Sequence, residues 1–261
     1  MGLFDELIEA SGGRYIRAGL TMLLVGAVVL GLLSVNWPIV KGLDFAVLWQ
    51  FRWALLQGLV MTLLLTAAAA ACGIFFGTLL AILTQVPFAP ARWFAIGYVE
   101  LFRNTPILVQ VLWIHFALPL VSGVNTSAVV SGVIAIVLQA SAYFGEIVRS
   151  GIRAVPPGYW EASDALGIPR TTRWRRVVLP PAFRIMIPPF VNMTISFFKA
   201  SAILTVLQVG ELMTVSTRIA NAVFKPIEIL TVAALIYFVF GYAISQSTHW
   251  LERSLAKREG R

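Results

Sequence analysis

The chain has 261 residues, 59% of them hydrophobic and 12% charged, with a formal net charge of +8, whereas soluble domains are roughly 45–50% apolar and about 25% charged. This balance excludes a soluble domain and defines an integral membrane protein. A single cysteine, Cys72, lies inside an apolar run and excludes an internal disulfide; His115 and His249 fall in different apolar segments, so no metal site is expected.

The first apolar run, Ala18 to Val35, is free of charge and long enough to cross a hydrocarbon core of about 30 Å. Asp5, Glu6 and Glu9 precede it and no Ala-x-Ala cleavage pattern follows, so it is expected as a retained span rather than a signal peptide. The second run, Trp53 to Thr84, is about 48 Å long as a helix and must tilt or protrude. Within it Ala69, Gly73 and Gly77 place a small residue at every fourth position, which permits close approach of another helix. Further spans are expected over Trp93 to Val121, Ser127 to Val148, Ile185 to Gly210 and Ile227 to Trp250, giving six in all with both termini on one side.

Between the fourth and fifth spans lies a polar segment, 149–184, holding seven arginines and two acids. Pro156-Pro157-Gly158 is expected to break the fourth span and Leu179-Pro180-Pro181 to close the loop before the fifth. Between them, Tyr159 to Leu166 and Thr171 to Val178 suit two short helices around Gly167-Ile168-Pro169, with Gly167 ending the first. Glu161 is expected near the start of that helix, where a carboxylate suits the macrodipole. With the amino terminus in the cytoplasm, fourteen basic residues fall in inside segments and four in outside ones, in agreement with the positive-inside rule. The hairpin is then cytoplasmic, and its arginines suit acids on a partner or lipid headgroups. The basic charge is therefore a topology signal, and no nucleic acid partner is expected.

Charged and polar residues inside the spans mark a second region. A central Arg or Lys costs about 2.5–3.5 kcal/mol to insert, so such groups face a protein interior or a water-filled path. Arg103 lies about 15 Å into its span, near the midplane, with Glu100 three positions earlier as its expected partner. Pro106 removes a helical N–H and frees the Phe102 carbonyl, and a broken, charged segment at this depth suits a substrate path. Asn104, Thr105, Gln139, Tyr143, Asn192, Lys199 and Ser201 complete the candidate path, with Gln110, His115 and Gln208 as further polar groups; His115 reads as a satisfied interior histidine. For a substrate carrying both charges, Arg103 or Lys199 would take the anionic group, and Glu100 or nearby carbonyls the cationic one.

The chain lacks Gly-x-x-x-x-Gly-Lys-Ser/Thr, so it has no phosphate loop and ATP energy must come from another polypeptide. Glu161-Ala162-Ser163, Gly167 after three residues, and Val178-Leu179-Pro180 resemble the EAA motif of the membrane subunits of ATP-binding-cassette importers. Tyr98-x-Glu100-x-Phe102-Arg103-x-Thr105-Pro106, Ala142-Tyr143-x-x-Glu146-Ile147-x-Arg149-x-Gly151-Ile152 and Lys199-x-Ser201 narrow the resemblance to the polar amino acid permeases of that class, the histidine, glutamine and arginine uptake type. It covers about Trp49 to Arg253. Gly158-Tyr159 stands where the family has Gly-Gln, Ser163 where it has a third Ala, and Leu179-Pro180-Pro181 where it has Leu-Pro-Gln.

The resemblance implies an all-α membrane protein: a five-helix type I importer core over 49–253 with the coupling loop 149–184, an extra amino-terminal helix and linker over 1–48, and a tail over 254–261. It further implies a non-enzymatic permease of the inner membrane that moves a polar amino acid by alternating access. Its expected partners are a cytoplasmic ATPase subunit carrying ATP and Mg, a second identical or similar permease chain, an extracytoplasmic binding protein, and membrane lipid, with no cofactor on this chain. Glu161, Ala162, Ser163, Asp164, Ala165, Gly167, Leu179 and Pro180 would form the ATPase contact. A rival reading is an ion-driven secondary transporter with Glu100 or Glu146 as proton carrier, which predicts two similar halves; the halves 1–130 and 131–261 show no repeat.

Overall fold

The computed structural model describes residues 13–259, which are helical without a strand. The chain divides between Asp44 and Phe45 into two compact units. The first contains α1 (Gly13–Ser34) and the short α2 (Trp37–Lys41). Met22, Leu24 and Leu33 on α1 are exposed, and such an apolar surface suits lipid.

The second unit comprises α3 (Val47–Leu83), α4 (Ala89–Asn104), α5 (Ile107–Ser122), α6 (Ala128–Arg153), α7 (Pro157–Ala165), α8 (Arg170–Leu207), α9 (Leu212–Val223) and α10 (Pro226–Glu259). Among the described residues, α3, α6, α8 and α10 are long and apolar enough to cross a membrane, and α4 with α5 makes up to five. The expected count of six would take α1 as well. The expected third span is two helices bent by 106°. The cause is local: Thr105, preceding a proline, is extended at φ −101° and ψ 133°, and Pro106 at φ −58° and ψ 134° starts the next helix.

A further expectation is corrected. Leu179-Pro180-Pro181 does not close the hairpin loop; the helix runs on from Arg170 to Leu207. A wide π-turn over Arg173–Val178 precedes these prolines, and there the hydrogen bonds no longer follow the α register that a proline ring would disrupt. At its other end α8 tightens into a 3-10 segment, Ser201–Leu207, and stops at Gln208 with φ 56°. The chain then forms α9, which hydropathy does not reveal because its sequence alternates apolar residues with Thr214, Ser216, Thr217 and Arg218.

The core is centred on α3 against α6. The expected small-residue stripe is on this contact: a Cβ on Gly77 would lie 2.5 Å from Gly145 N, and one on Gly73 would lie 2.7 Å from the Phe144 ring. Leu65, Ala69, Ile136, Ala140 and Phe144 continue the packing into Phe197 and Leu204 of α8. Ser127 begins α6 by accepting the Val130 N–H through its hydroxyl at 3.3 Å.

Candidate functional site

The hairpin is built as a rigid body. Gly167 has φ +61°, and its N–H donates to the Asp164 carbonyl while that of Ile168 donates to the Ser163 carbonyl, both at 3.0 Å. This is the Schellman ending, and glycine meets its left-handed requirement without a Cβ penalty. The Trp160 and Trp174 rings meet edge to face with centroids 5.5 Å apart, and Arg173 pairs with Asp164. Ser163 is buried and donates to the Trp160 carbonyl at 2.7 Å. A small residue is thus needed where the motif has one.

Val155, Val178, Ala182 and Met186 join the hairpin to Ala81 of α3 and Val148 of α6 in one buried cluster. Against that fixed side, Glu161, Ala162, Asp164 and Ala165 are exposed. Tyr159 and Leu166 are 47% and 76% exposed and edge an apolar groove with Ala162, Ile168 and Val177. Leu179 is half-buried and Pro180 exposed on the continuing helix. Since α7 begins at Pro157, Glu161 lies past the first turn, so the expected dipole role is lost to an earlier helix start.

The second assembly is the elbow between α4 and α5. Pro106 leaves the Phe102 carbonyl without its helical donor, and two glutamines take over. The Gln110 amide donates to the carbonyls of Phe102 and Thr105, both at 2.9 Å, and the Gln139 amide approaches the same two at 3.5 and 3.4 Å. The Tyr143 hydroxyl donates to the Arg103 carbonyl at 3.3 Å. Freed backbone at membrane depth is tolerated when protein groups satisfy it in this way.

The expected Glu100–Arg103 pair is replaced. Arg103 reaches across to Glu146 on α6, Nη1 to Oε2 at 3.6 Å, and its guanidinium lies 5.7 Å from the Tyr143 ring centre. Glu146 also takes a fork from Arg149, at 2.6 and 2.9 Å. Glu100 instead accepts the Asn104 amide at 2.8 Å. The elbow turns α4 across α6, so Arg103 faces the carboxylate of another helix. Its charge lies level with Glu146, about 10 Å from the hairpin end of α6 at helical rise, which moves it from the expected midplane toward the hairpin side.

Glu100, Arg103, Asn104, Thr105, Gln139 and Tyr143 are thus brought together. Asn192, Ser196 and Lys199 form a separate exposed stripe on α8. Lys199 has no ion-pair partner among the described residues and lines a groove with Met213, Ala233 and Tyr237. Ser201 is fully buried, its hydroxyl donating to the Phe198 carbonyl at 2.8 Å, which removes it from an open path. Gln208 is exposed and held by Arg218. His115 Nδ1 is 3.0 Å from the Ser131 hydroxyl, the satisfied interior histidine expected.

Sequence reasoning missed Glu211. Fully buried, its carboxylate accepts from the Thr205 hydroxyl at 2.9 Å, the Met213 and Thr214 N–H groups at 2.8 and 2.6 Å, the Thr214 hydroxyl at 2.8 Å, and the Tyr237 hydroxyl at 3.0 Å. It caps α9 and ties it to α10 and to the 3-10 end of α8. The available signal was an acid immediately before Leu212-Met213-Thr214, a helix-start pattern.

The chain matches the family of binding-protein-dependent transport system inner membrane components over residues 73–257, and it belongs to that family. It is 33% identical over 205 residues to the arginine transport system permease protein ArtQ of Bacillus subtilis, covering 78% of this chain and 94% of that one. It is 30% identical over 224 residues to the glutamate/aspartate import permease protein GltK of Escherichia coli, covering 80% and 100%. A crystal structure of an amino acid ABC transporter with histidines aligns at TM-score 0.78 and 33% identity over 81% of this chain and 99% of that one. The MetNI methionine ABC transporter shares the fold at TM-score 0.68 and 18% identity, over 78% and 97%. The chain is accordingly a transport subunit, with ATP hydrolysis on a separate subunit.

Proposed function

We propose that this chain is the permease half of an inner-membrane importer that moves a polar amino acid by alternating access, driven by ATPase subunits bound in trans. The observation that carries this reading is the hairpin: an ordered element with one face fixed to α3, α6 and α8 and an exposed apolar groove beside Leu166. Such a part transmits a push from a partner into the bundle. The relatives named for arginine and for glutamate/aspartate import support an amino acid as substrate.

In this reading the hairpin and both termini face the cytoplasm, α1 supplies a sixth span, and Glu161, Ala162, Asp164, Ala165 and Leu166 meet the ATPase. Ser163 and Gly167 shape that surface from within. ATP and Mg belong to the ATPase, a second permease chain completes the path, and an extracytoplasmic binding protein delivers the substrate. Arg103, Tyr143 and the Gln110–Gln139 pair set the elbow. Glu100 and Asn104 beside it, and Asn192 and Lys199 on α8, offer groups for an ammonium and a carboxylate.

The test is reconstitution of the chain with its ATPase in proteoliposomes. Hydrolysis stimulated by a binding protein loaded with one amino acid, with uptake of that amino acid, is the expected result; uptake that persists without any ATPase contradicts it.

A further inference from the structure

At the end of α3 remote from the hairpin, Arg52 is exposed between two exposed indoles. Its guanidinium carbon lies 4.2 Å from the Trp49 ring centre and 5.6 Å from that of Trp53, and Nη1 donates to the Trp49 carbonyl. Its remaining N–H groups have no partner among the described residues. From Arg52 an apolar groove runs between α3 and α10, floored by Leu55, Leu59, Val232 and Ile236. Leu55 and Leu59 are buried within the bundle, so the groove floor is preformed.

Depth identifies the occupant. Arg52 stands 31 residues before Leu83, the hairpin-side end of α3, which is about 46 Å along the helix, or about 43 Å at a typical tilt of about 20°. Hydrocarbon and headgroup layers together span about 40–45 Å. With the hairpin end of α3 at one membrane surface, Arg52 falls in the opposite headgroup layer and the groove below it in acyl chains. The two tryptophans match the aromatic belt at that depth.

We propose that this groove is a binding site for an anionic glycerophospholipid, one acyl chain along Leu55 and Leu59 and the phosphate on Arg52. Guanidinium pairs with phosphate through two parallel N–H groups, and its contact with both rings holds it at the groove mouth. A headgroup with net negative charge is favoured over a zwitterionic one because no acid lies among the groove residues to offset Arg52.

The site is tested by native mass spectrometry of the full chain in complex with its ATPase, titrated with phosphatidylglycerol or phosphatidylcholine. Phosphatidylglycerol is expected to be retained in preference, with about fivefold weaker retention in Arg52→Gln, and Leu56→Trp, at an exposed position lining the groove, is expected to weaken both lipids by filling it. Equal retention of the two lipids, or unchanged retention in Arg52→Gln, overturns the assignment; so does absence of retained lipid because a second permease copy covers the groove. The readout is binding, so it stands apart from the outcome of any transport assay.

Discussion

Arg103 and Glu146 approach to 3.6 Å across the junction of α4 and α6, so the charge at the proline elbow is answered by a neighbouring helix rather than by its own. At that distance the contact is an ion pair without a hydrogen bond, while Arg149 holds the same carboxylate at 2.6 Å. The two arginines therefore have unequal parts. Arg103→Met leaves the Arg149–Glu146 fork intact and costs about 1 kcal/mol of stability, whereas Glu146→Met takes the shared carboxylate from two guanidiniums and costs more. Thermal unfolding of both variants in the same detergent checks the order; equal losses refute it.

The elbow depends on its two amides. Gln110→Leu leaves the carbonyls of Phe102 and Thr105 to the longer contacts from Gln139, and the loss of a buried donor costs about 1–3 kcal/mol. Transport velocity falls with it, since the elbow places Arg103. Gln139→Leu, with contacts of 3.4–3.5 Å, is milder. Uptake rates at saturating substrate rank the two, and a larger loss in Gln139→Leu runs against the account.

Close helix packing gives a sharper contrast. A Cβ on Gly77 meets the backbone of Gly145 and Ser141 at 2.5 and 2.7 Å, while one on Gly97 meets nothing within 4 Å. Gly77→Ala must push α3 away from α6 and is expected to cost at least about 1–3 kcal/mol. Gly97→Ala in an open helical position is neutral or stabilising by up to about 1 kcal/mol. Folded yield on size-exclusion chromatography distinguishes them.

Glu211 is a buried node with five donors converging on one carboxylate. Glu211→Leu leaves two backbone N–H groups, two threonine hydroxyls and Tyr237 without their acceptor, so a loss of several kcal/mol is expected. Glu211→Gln keeps an acceptor but turns its N–H₂ toward a backbone N–H that cannot accept, that of Met213 or Thr214, and is expected to lie between wild type and Glu211→Leu. Melting temperatures of the three proteins give the ranking.

What was legible from residues alone followed directly from chemistry with short range. Gly167 as a helix stop, the small stripe Ala69-Gly73-Gly77 and the carbonyl freed by Pro106 each depend on one side chain or its lack. What was hidden depended on partners distant in sequence. Glu146 answers Arg103 only because the elbow turns α4 across α6, and Pro180 and Pro181 sit inside a helix only because a π-turn precedes them. Hydropathy could not separate α9 from a loop, since its stability comes from Gly58 and Thr62 of α3 meeting Leu212 and from the Glu211 cap.

The hairpin surface is probed by two charge changes. Gly167→Asp forces a side chain into a left-handed position and disturbs the Schellman ending, while Glu161→Lys reverses an exposed charge without touching the fold. Both are expected to separate ATP hydrolysis from uptake, with the second leaving the unfolding free energy within about 0.5 kcal/mol of wild type. Unchanged coupled transport in both counts against the hairpin as the contact.

The most direct measurement is ATP hydrolysis in proteoliposomes containing the chain and its ATPase, with and without amino-acid-loaded binding protein, for wild type and Leu166→Asp. Leu166 is exposed beside the apolar groove of α7 and supports nothing in the core, so the variant folds. Stimulation is expected in wild type and is lost in Leu166→Asp, together with the co-purified ATPase; full stimulation and uptake in Leu166→Asp rule out the hairpin as the ATPase contact.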